Sequence, residues 1–482
     1  MKILTGAQIA EADSLALQGE GIEAVELMER AAEQIALWIC RNIDQSSRLL
    51  FFTGKGNNGG DGLAVARILH NAGFCCRVYT PFEARQMSGP CSENFGRLPE
   101  GLLSDEPSLS EDTVIIDALL GAGMSGEVRE PVKSIIEFIN GSGCTVISID
   151  IPSGMGTEEN AGRDTIVNAD TTLTIQYPKL SMLLPEAGEH CGHIEVIDVG
   201  IETSAFDSPY NYIVPESIAA VKRRRPKFAY KNMYGHALLV CGSANMTGAA
   251  VLATSAALRS GCGLVTVHTP ASERLALQVS APSAMLSHEP RNVFATLPEN
   301  LQKYSAVGVG CGIGTEQQTV MALRNLLERF SGPMVIDADA LNIIADNREM
   351  LDMIPKGSIL TPHLGELARI AGDWKTEREK LSLALGLSVR IGGTVIVKGP
   401  HSAVCTCDGR VLFNSTGSCG MAKGGSGDVL TGLLAGLLAA GYTSSQAAAI
   451  GVFEHGRAGE KAAEYYGTES MNSSDIVDFL NL

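Results

Sequence analysis

The chain has 482 residues, of which 45% are apolar and 19% are charged, and its formal net charge is −17. This length predicts two or three domains, and the apolar fraction is large enough to form full-sized cores. The acidic balance argues against nucleic acid as a partner, because binding to a phosphate backbone needs an excess of Lys and Arg, but a small anion can still bind at glycine loops and helix ends.

The sequence carries no signal for secretion, for a membrane span or for zinc. The N-terminus lacks the apolar core of a signal peptide, and the most apolar run, residues 429–441, is too short to cross a bilayer. The twelve cysteines form no paired C-x-x-C set, which disfavours a zinc site. We therefore expect a cytoplasmic protein without a membrane partner.

The first half of the chain alternates between apolar runs and helical stretches. A helical region precedes the first strand, and further helices are predicted from Asp61 to about Asn71 and from about Pro131. Near-continuous Val and Ile runs between helices indicate a parallel sheet covered on both faces. The predicted strands are residues 48–54, 76–80, 113–119, 144–154, 171–176 and 193–200.

The alternation lapses between residues 201 and 230 and then resumes. This lapse predicts a domain boundary near residue 213, which separates domain 1–213 from domain 214–482. In the second half, helices are predicted at 248–261, 427–440 and 444–466. The predicted strands lie within residues 236–242, 264–270, 305–314, 334–341, 358–363 and 394–400. The predicted fold class is therefore two successive α/β domains.

A glycine-rich loop, GKGNNGGDG, follows the first predicted strand and opens a helix. Such a loop lies at the carboxyl edge of a parallel sheet, where free amide groups and the helix dipole can meet a ligand. It lacks the Lys-Ser/Thr ending of a phosphate loop, and it is not G-x-G-x-x-G in register. The alternative is a tight strand-to-helix turn that Asp61 caps.

Polar side chains follow two more strands of the first half. Asp117 stands before a second glycine loop, and Asp150 and Ser153 lie in SIDIPSG. If the strand ends are adjacent, Asn58, Asp117 and Ser153 converge, and their oxygens of mixed charge suit a hard, weakly held cation. Asp150 is then left as a candidate base.

A second glycine loop, GGSGDVLTG, lies near the other end of the chain. Amide groups at its helix start can hold a phosphate in transfer, and Asp428 can act as the base for a hydroxyl. Lys398 and Gly399 end a strand where they can meet nucleotide phosphates. His363 also ends a strand, and we favour a functional role for it over a structural one.

The first half resembles the NAD(P)HX epimerase family, the N-terminal part of YjeF-type repair proteins, through GKGNNGGDGLAVARIL, VIIDALLGAG and ISIDIPSGMG. The resemblance covers about residues 1–213 and implies a Rossmann-like parallel α/β sheet. It implies potassium ligands at Asn58, Asp117 and Ser153, and proton transfer at Asp150. The substrate contacts that it implies are Asn57, Asn58, Gly59, Gly60, Asp61, Gly121, Ala122, Gly123, Met124, Ser125, Gly126, Glu127 and Asp150.

The second half resembles the ADP-dependent NAD(P)HX dehydratase family through VIDADALN, TPHLGE, VKG and GMAKGGSGDVLTGLLAG. The resemblance covers about residues 225–482 and implies a ribokinase-like fold. It implies that Asp428 is catalytic. The implied substrate contacts are Ala249, Gly312, His363 and Asp428, and the implied nucleotide contacts are Lys398, Gly399, Pro400, His401, Ser402 and Gly427.

Three features depart from the dehydratase pattern. Leu364 and Cys311 stand where the family usually has proline, and the stretch NSTGSCGMAKGG, which contains Ser415, replaces the commoner NPTGNPGMATGG. None of these departures removes a charged or hydrogen-bond-donating group, so we expect altered loop stiffness rather than lost activity.

Together, the two resemblances imply a bifunctional metabolite-repair enzyme, an isomerase joined to a lyase. It would interconvert the R and S forms of hydrated NADH and NADPH, and would dehydrate the S form with ADP, giving AMP and phosphate. Potassium is expected in the first domain, magnesium with ADP in the second, and a homo-oligomer of four or more subunits.

The residues alone leave three alternatives open. ATP could replace ADP, since only the resemblance favours ADP. A ribokinase-like kinase of a vitamin or sugar alcohol would share the second glycine loop. A non-catalytic nucleotide sensor would share the fold.

Overall fold

The computed structural model describes residues 1–124, 126–158, 160 and 164–482. These residues form two compact units, Met1–Tyr210 and Asn211–Leu482. Each unit contains a sheet with helices, so the predicted α/β class is confirmed. The division falls near the predicted boundary at residue 213, and the activity assigned to each unit stays a prediction.

The first unit is a parallel six-stranded sheet in the order β2-β1-β3-β4-β5-β6. Its strands are β1 (Arg48–Thr53), β2 (Cys75–Tyr79), β3 (Thr113–Ala118), β4 (Thr145–Ile149), β5 (Thr171–Ile175) and β6 (His193–Ile197). Its helices are α1 (Gly6–Glu20), α2 (Ala24–Asn42), α3 (Asn57–Asn71), α4 (Gly89–Gly96), α5 (Val132–Asn140) and α6 (Pro185–Gly188).

Strand β1 shows that both faces of this sheet are covered. Leu49 and Phe51 join the core formed with α2 and α3, whereas Leu50 and Phe52 join the core formed with α5. Alternate side chains of a strand point to opposite faces, so an unbroken apolar run is what a doubly covered strand requires. This arrangement confirms the predicted parallel sheet.

Helix α3 begins at Asn57, four residues before the predicted start, with Gly56 as its N-cap. Asp61 therefore lies inside the helix, and the alternative in which it caps a turn is wrong. The reason is a close backbone approach: a Cβ on Gly59 would lie 2.0 Å from the carbonyl oxygen of Gly54. The glycines let the helix start directly against the strand end, and a reading of local propensity does not detect such a contact.

The second unit contains a ten-stranded sheet in the order β10-β9-β8-β11-β12-β13-β14-β15-β16-β7. Its strands are β7 (Tyr210–Tyr212), β8 (His236–Val240), β9 (Leu264–Pro270), β10 (Met285–Glu289), β11 (Ala306–Val309), β12 (Met334–Ile336), β13 (Ile359–Leu360), β14 (Thr394–Val397), β15 (Ala403–Thr406) and β16 (Val411–Phe413). Its helices are α7 (Pro215–Val221), α8 (Thr247–Arg259), α9 (Arg274–Ser280), α10 (Gln317–Arg329), α11 (Ala338–Asp346), α12 (Leu364–Ala371), α13 (Glu377–Ile391), α14 (Ser426–Ala439), α15 (Ser444–Tyr466) and α16 (Ser473–Phe479).

Strands β14, β15 and β16 form antiparallel hairpins, which the sequence analysis did not predict. Val397 pairs with Ala403, so residues 398–402 form the turn between β14 and β15. Five of the six residues predicted to bind nucleotide therefore sit in one tight connection at the carboxyl end of β14, and the sixth, Gly427, lies at the start of α14.

Helix α14 is the central helix of the second unit. Its residues from Val429 to Ala439 are all buried, and a Cβ on Gly432 would lie 1.9 Å from the carbonyl oxygen of Ala253 in α8. The apolar run noted above is thus a core helix. Among the described residues, no helix combines the length and apolar character that crossing a bilayer would need.

Candidate active sites

The first unit encloses a cavity of about 920 Å³ at the carboxyl end of its sheet. Residues that follow β1, β3, β4 and β5 line it, together with one face of α1. Its volume lies at the upper end of the range of about 300–1,000 Å³ for small-molecule sites, which suits a ligand as large as a dinucleotide.

Most of the residues predicted to bind substrate in this unit line the cavity. They are Asn57, Asn58, Asp61, Gly121, Ala122, Gly123, Met124, Glu127 and Asp150. Gly59, Gly60 and Gly126 are not among the lining residues. A Cβ on Gly60 would lie 2.7 Å from the Met28 sulfur, so Gly59 and Gly60 serve close packing. Ser125 lies outside the described residues.

The three predicted metal ligands converge beside Leu120. The Asn58 Nδ2 donates to the Leu120 carbonyl at 3.0 Å, and the Leu120 amide donates to Ser153 Oγ at 2.9 Å. Ser153 Oγ in turn donates to Asp117 at 2.6 Å. Asn58 Oδ1 is buried and has no hydrogen-bond donor among the described residues, so an acceptor oxygen is left over where a cation would bind.

The carboxyl group of Asp117 is fully buried. Burial raises its pKa, against the hydrogen bonds from Ser153, Ser148 and the Leu119 amide. The site therefore combines a carboxylate, an amide oxygen and a hydroxyl with few net charges, which fits a weakly held monovalent cation.

Asp150 forms an ion pair with Lys179. The sequence analysis did not predict this ion pair. The Lys179 ammonium is 1% exposed and also donates to Thr174 Oγ1 at 2.8 Å. Asp150 itself has φ of 69°, a left-handed conformation that non-glycine residues seldom adopt. Such conformations persist where surrounding contacts enforce them, often at functional sites.

Two more carboxyl groups, Asp13 and Asp61, line the same cavity. Burial, followed by the charge of Asp150, raises the pKa of Asp13 to about 6 and raises that of Asp61 well above its usual range. Asp13 was not predicted. The signal in the sequence was the spacing along AQIAEAD, which places Asp13 on one face of α1 with Ile9 and Ala10.

In the second unit, the glycine loop sits at the start of α14. Gly425 is the N-cap with φ of 98°, and Asp428 lies in the first helical turn. A Cβ on Gly427 would lie 3.5 Å from both Asp337 Oδ2 and Lys398 Nζ. The start of this helix therefore lies beside a cationic side chain, an arrangement that suits an anion site.

Lys398 is held by acidic side chains from two other elements. Its Nζ lies 2.8 Å from Asp337 Oδ1 and 4.0 Å from Glu366 Oε2. Burial alone would lower the pKa of Lys398, but the charge and hydrogen bond of Asp337 outweigh it and raise the pKa. The side chain therefore stays protonated.

Asp428 contacts Cys311, one of the residues that depart from the family pattern. Burial raises the pKa of Asp428, and the hydrogen bond from the Cys311 thiol opposes that shift. A hydrogen bond with Cys241 and burial raise the pKa of Cys311 well above its usual range, so its sulfur keeps its proton. The departure thus places a donor beside the candidate base.

His363 caps α12. Its Nδ1 accepts from the Gly365 amide at 3.0 Å and from the Glu366 amide at 3.4 Å, and Nε2 lies 3.4 Å from Glu366 Oε1. The structural role that the sequence analysis ranked second is therefore present. The side chain is still 53% exposed, and its predicted substrate contact stays a prediction.

The other predicted residues of this unit also lie at strand ends. Gly312 has φ of 64°, and a Cβ there would be 3.3 Å from that of Ala249, so the loop after β11 contacts the first turn of α8. Ser402 Oγ donates to the Gly399 carbonyl at 3.1 Å, which closes the β14–β15 turn. His401 Nδ1 lies 3.0 Å from the Asn414 carbonyl, and burial lowers the pKa of His401.

These features define a class of protein. The first unit is a Rossmann-like domain with a cavity of dinucleotide size, and the second places a buried carboxylate and a lysine at a glycine-rich helix start. Together they are the features of an α/β enzyme with a candidate site in each unit.

Comparison with known proteins agrees with that class. The family model described as NAD(P)H-hydrate dehydratase matches residues 237–481, and the one described as YjeF-related protein N-terminus matches residues 24–181. The bifunctional NAD(P)H-hydrate repair enzyme Nnr of Moorella thermoacetica is 32% identical, over 100% of this chain and 96% of the relative. The chain belongs to the family of bifunctional NAD(P)H-hydrate repair enzymes.

Two solved structures resemble the second unit. The ADP/ATP-dependent NAD(P)H-hydrate dehydratase of Bacillus subtilis, co-crystallised with ATP and Mg²⁺, is 26% identical with a TM-score of 0.50, covering 56% of this chain and 96% of that one. A ribokinase-like superfamily protein of Enterococcus faecalis V583 is 25% identical with a TM-score of 0.51, covering 58% and 96%. The predicted family, fold class and joined isomerase and lyase classes are confirmed.

Proposed function

We propose that the first unit interconverts the R and S forms of hydrated NADH and NADPH, and that the second unit converts the S form to NAD(P)H with ADP. The observation that carries the proposal is the placement of Asp428 in the first turn of α14, beside Lys398 and the glycine-rich start of that helix. A base and an anion site are thereby adjacent, as phosphoryl transfer to a hydroxyl needs.

In the second unit, Asp428 takes the proton of the C6 hydroxyl, and the freed oxygen attacks the β-phosphorus of ADP. The bond to the bridging oxygen breaks and AMP leaves. The amide groups of α14 and Lys398 stabilise the charge on the transferred group. The C6–O bond then breaks with its electron pair on phosphate, C5 gives up a proton to water, and the C5=C6 bond forms.

Magnesium is expected to enter with the nucleotide. Two of the acidic side chains near the glycine loop, Asp337 and Glu366, already face Lys398, so their charges are partly neutralised before a dication arrives. Bound to the phosphates, the ion would neutralise their negative charge.

In the first unit, Asp150 transfers a proton at the C6 hydroxyl, and Lys179 provides its counter-charge. Asn58, Asp117 and Ser153 would hold potassium, since the unpaired Asn58 Oδ1 faces no other donor of the described chain. The ion would supply a fixed positive charge near the dinucleotide. Asn57, Gly121 and the neighbouring lining residues would contact the substrate.

The family resemblance extends the proposal to the whole assembly. We expect a cytoplasmic homo-oligomer of four or more subunits. A vitamin or sugar kinase and a nucleotide sensor are the competing functions, and membership across both units argues against each of them.

The test is recovery of absorbance at the NADH band from a mixture of R and S hydrates, with magnesium and either ADP or ATP. The full chain is expected to recover both forms with ADP. Asp428→Ala should lower dehydration of the S form by about 10²–10⁴-fold and leave R–S interconversion unchanged. Full turnover in Asp428→Ala would refute the role of Asp428. No recovery with either nucleotide in the wild-type chain would favour a kinase.

A further inference from the structure

One face of helix α1 forms a wall of the first cavity. The lining residues Ile9, Ala10 and Asp13 follow Gly6 at offsets of three, four and seven positions, which places all four on one side of the helix. Ala12 packs into the core instead. Asp13 is thus the ionisable group that α1 presents to the cavity.

The start of α1 is well defined by a capping box. The backbone N–H of Gln8 donates to Thr5 Oγ1 at 3.3 Å, and the backbone N–H of Thr5 donates to Gln8 Oε1 at 3.1 Å. Such reciprocal caps hold the first turn of a helix in place. The face that carries Asp13 is therefore oriented by local contacts as well as by the core.

Asp13 faces charged groups from three other parts of the unit. They are Asp61 on α3, Asp150 after β4, and Lys179, with the hydroxyl of Tyr177 nearby. Lys179 is committed to Asp150 by the ion pair. Three carboxyl groups therefore share one cation, and electrostatic repulsion favours a proton on at least one of the other two.

Asp61 and Asp13 differ in accessibility. Asp61 is 8% exposed, and its carboxyl group has no hydrogen bond to a side chain of the described residues. Burial, followed by the charges of Asp150 and Asp13, raises its pKa well above the usual range, which favours the protonated form. Asp13 is only half-buried and its pKa is about 6, so it exchanges a proton within the range of pH in which enzymes work.

We propose that Asp13 is a second proton-transfer residue of the first unit and donates its proton to the C6 hydroxyl of the hydrated dinucleotide. This inference rests on the proposed epimerase function and adds the acid that complements Asp150. The pair resembles other sites in which two carboxyl groups in different environments divide acid and base roles.

The step balances without a further reactant. Asp13 protonates the C6 hydroxyl, the C6–O bond breaks, and water leaves with the electron pair. The lone pair of ring nitrogen N1 forms the N1=C6 double bond. Water then adds to C6 on the other face and loses a proton to the Asp150 carboxylate. A proton passes back within the cluster or through solvent, which restores Asp13.

The experiment uses the full chain and measures R-form and S-form recovery separately, with ADP and magnesium. Asp13→Asn should slow recovery of the R form by about 10²–10⁴-fold and leave that of the S form unchanged. The S form thus reports on folding of the chain. The matched control is Glu11→Gln, because Glu11 is an exposed carboxylate on the same helix. It should leave both rates unchanged.

The pH profile gives a readout that a structural role would not move. In the wild-type chain, kcat/KM for the R form should fall as pH rises through about 6, because Asp13 loses the proton that it donates. Asp13→Glu should retain activity with this limb displaced, and Asp13→Asn should lack the limb.

Each other outcome is informative. A wild-type rate for the R form in Asp13→Asn would overturn the inference and leave the proposed function standing. A wild-type chain that fails to recover the R form would instead overturn the epimerase function itself. Asp13→Asn could lose recovery of both the R and the S form because the chain misfolds. In that case, a wild-type pH profile of kcat/KM in Asp13→Glu would overturn the proton-transfer role of Asp13.

Discussion

Lys398 Nζ lies 2.8 Å from Asp337 Oδ1, and the other oxygen of Asp337 accepts a hydrogen bond from Thr431 Oγ1 at 2.8 Å. One buried carboxylate thus joins the end of β14 to helix α14. It holds the lysine beside the glycine loop before any nucleotide binds. Lys398 therefore has a structural partner as well as a predicted ligand.

We expect the two roles of Lys398 to separate in a pair of variants. Lys398→Met leaves the Asp337 charge buried and unpaired, which should lower the free energy of unfolding by about 3–5 kcal/mol and weaken ADP binding. Adding Asp337→Asn should restore most of the stability, because no charge is then buried, but not the affinity for ADP. Denaturant unfolding and the KM for ADP are the measurements. A wild-type KM in the double variant would remove Lys398 from the nucleotide site.

Dehydration of the S form should depend on pH through Asp428. A base must be ionised, so the rate should rise with pH through a pKa that burial places above the usual aspartate range. Cys311→Ala removes the thiol hydrogen bond that opposes this shift, and the limb should therefore move to higher pH. Cys241→Ala is the control and should move it less. A profile that Cys311→Ala leaves in place would show that this contact does not tune Asp428.

Potassium should stabilise the first unit in the absence of substrate. A cation bound only by the folded state raises the thermal midpoint by mass action, so replacing choline with potassium should raise the midpoint by a few degrees. Asn58→Leu should abolish the increase, because it removes the unpaired buried oxygen. Asn57→Ala should retain it, since Asn57 Oδ1 instead accepts from Ser88. An equal increase in all three chains would place the ion elsewhere.

Asp13 should cost stability at neutral pH. Its folded-state pKa of about 6 exceeds the ordinary 3.8, so the folded state binds the proton more tightly and stability falls as pH rises from about 4 to about 6. Asp13→Asn removes this penalty and should stabilise the first unit at pH 8 by about 1–2 kcal/mol, after allowance for solvent screening, with little effect below pH 4. Unfolding curves at both pH values test this. An equal gain at both would mean that ionisation is not the cause.

The glycine loop before α3 should tolerate substitution at one position and not at another. Gly59→Ala places a Cβ 2.0 Å from the Gly54 carbonyl oxygen, whereas Gly56→Ala meets no atom within 4 Å. Gly59→Ala should lower the stability by about 1–3 kcal/mol or more through overpacking, and Gly56→Ala should change it little. Thermal midpoints of the two variants provide the comparison. Equal midpoints would mean that the backbone can shift to make room.

Local patterns in the chain account for much of this fold. The run of apolar residues at 48–54 predicted β1, which spans Arg48–Thr53, and the small-residue stretch after β8 predicted α8. The motif residues Asn58, Asp117 and Ser153 were also predicted to converge, and they do so around Leu120. The patterns of a strand, a helix or a short motif each involve residues within a few positions of one another, so a single sequence displays them. The convergence of the three motif residues followed from placing each of them at the end of a strand in one parallel sheet.

Other features depend on contacts between distant segments. Helix α3 starts at Asn57 because Gly59 lies against Gly54, a packing contact that propensity does not register. Lys179 and Asp150 are 29 positions apart and meet only when β4 and β5 pair. In the sequence, Asp13 is one polar residue of a predicted helix among several. Only the packing of α1 against the cavity shows that its side chain lines the site.

The sequence by itself determined the two α/β domains, the two glycine loops and the family, because these follow from local pattern and motif. Only the tertiary structure decided which carboxyl groups are buried together and which have a cation. The pKa of Asp13 and the pairing of Lys398 depend on burial and charge, and both are set by residues far away in the chain. The proton-transfer role proposed for Asp13 therefore depends on long-range contacts.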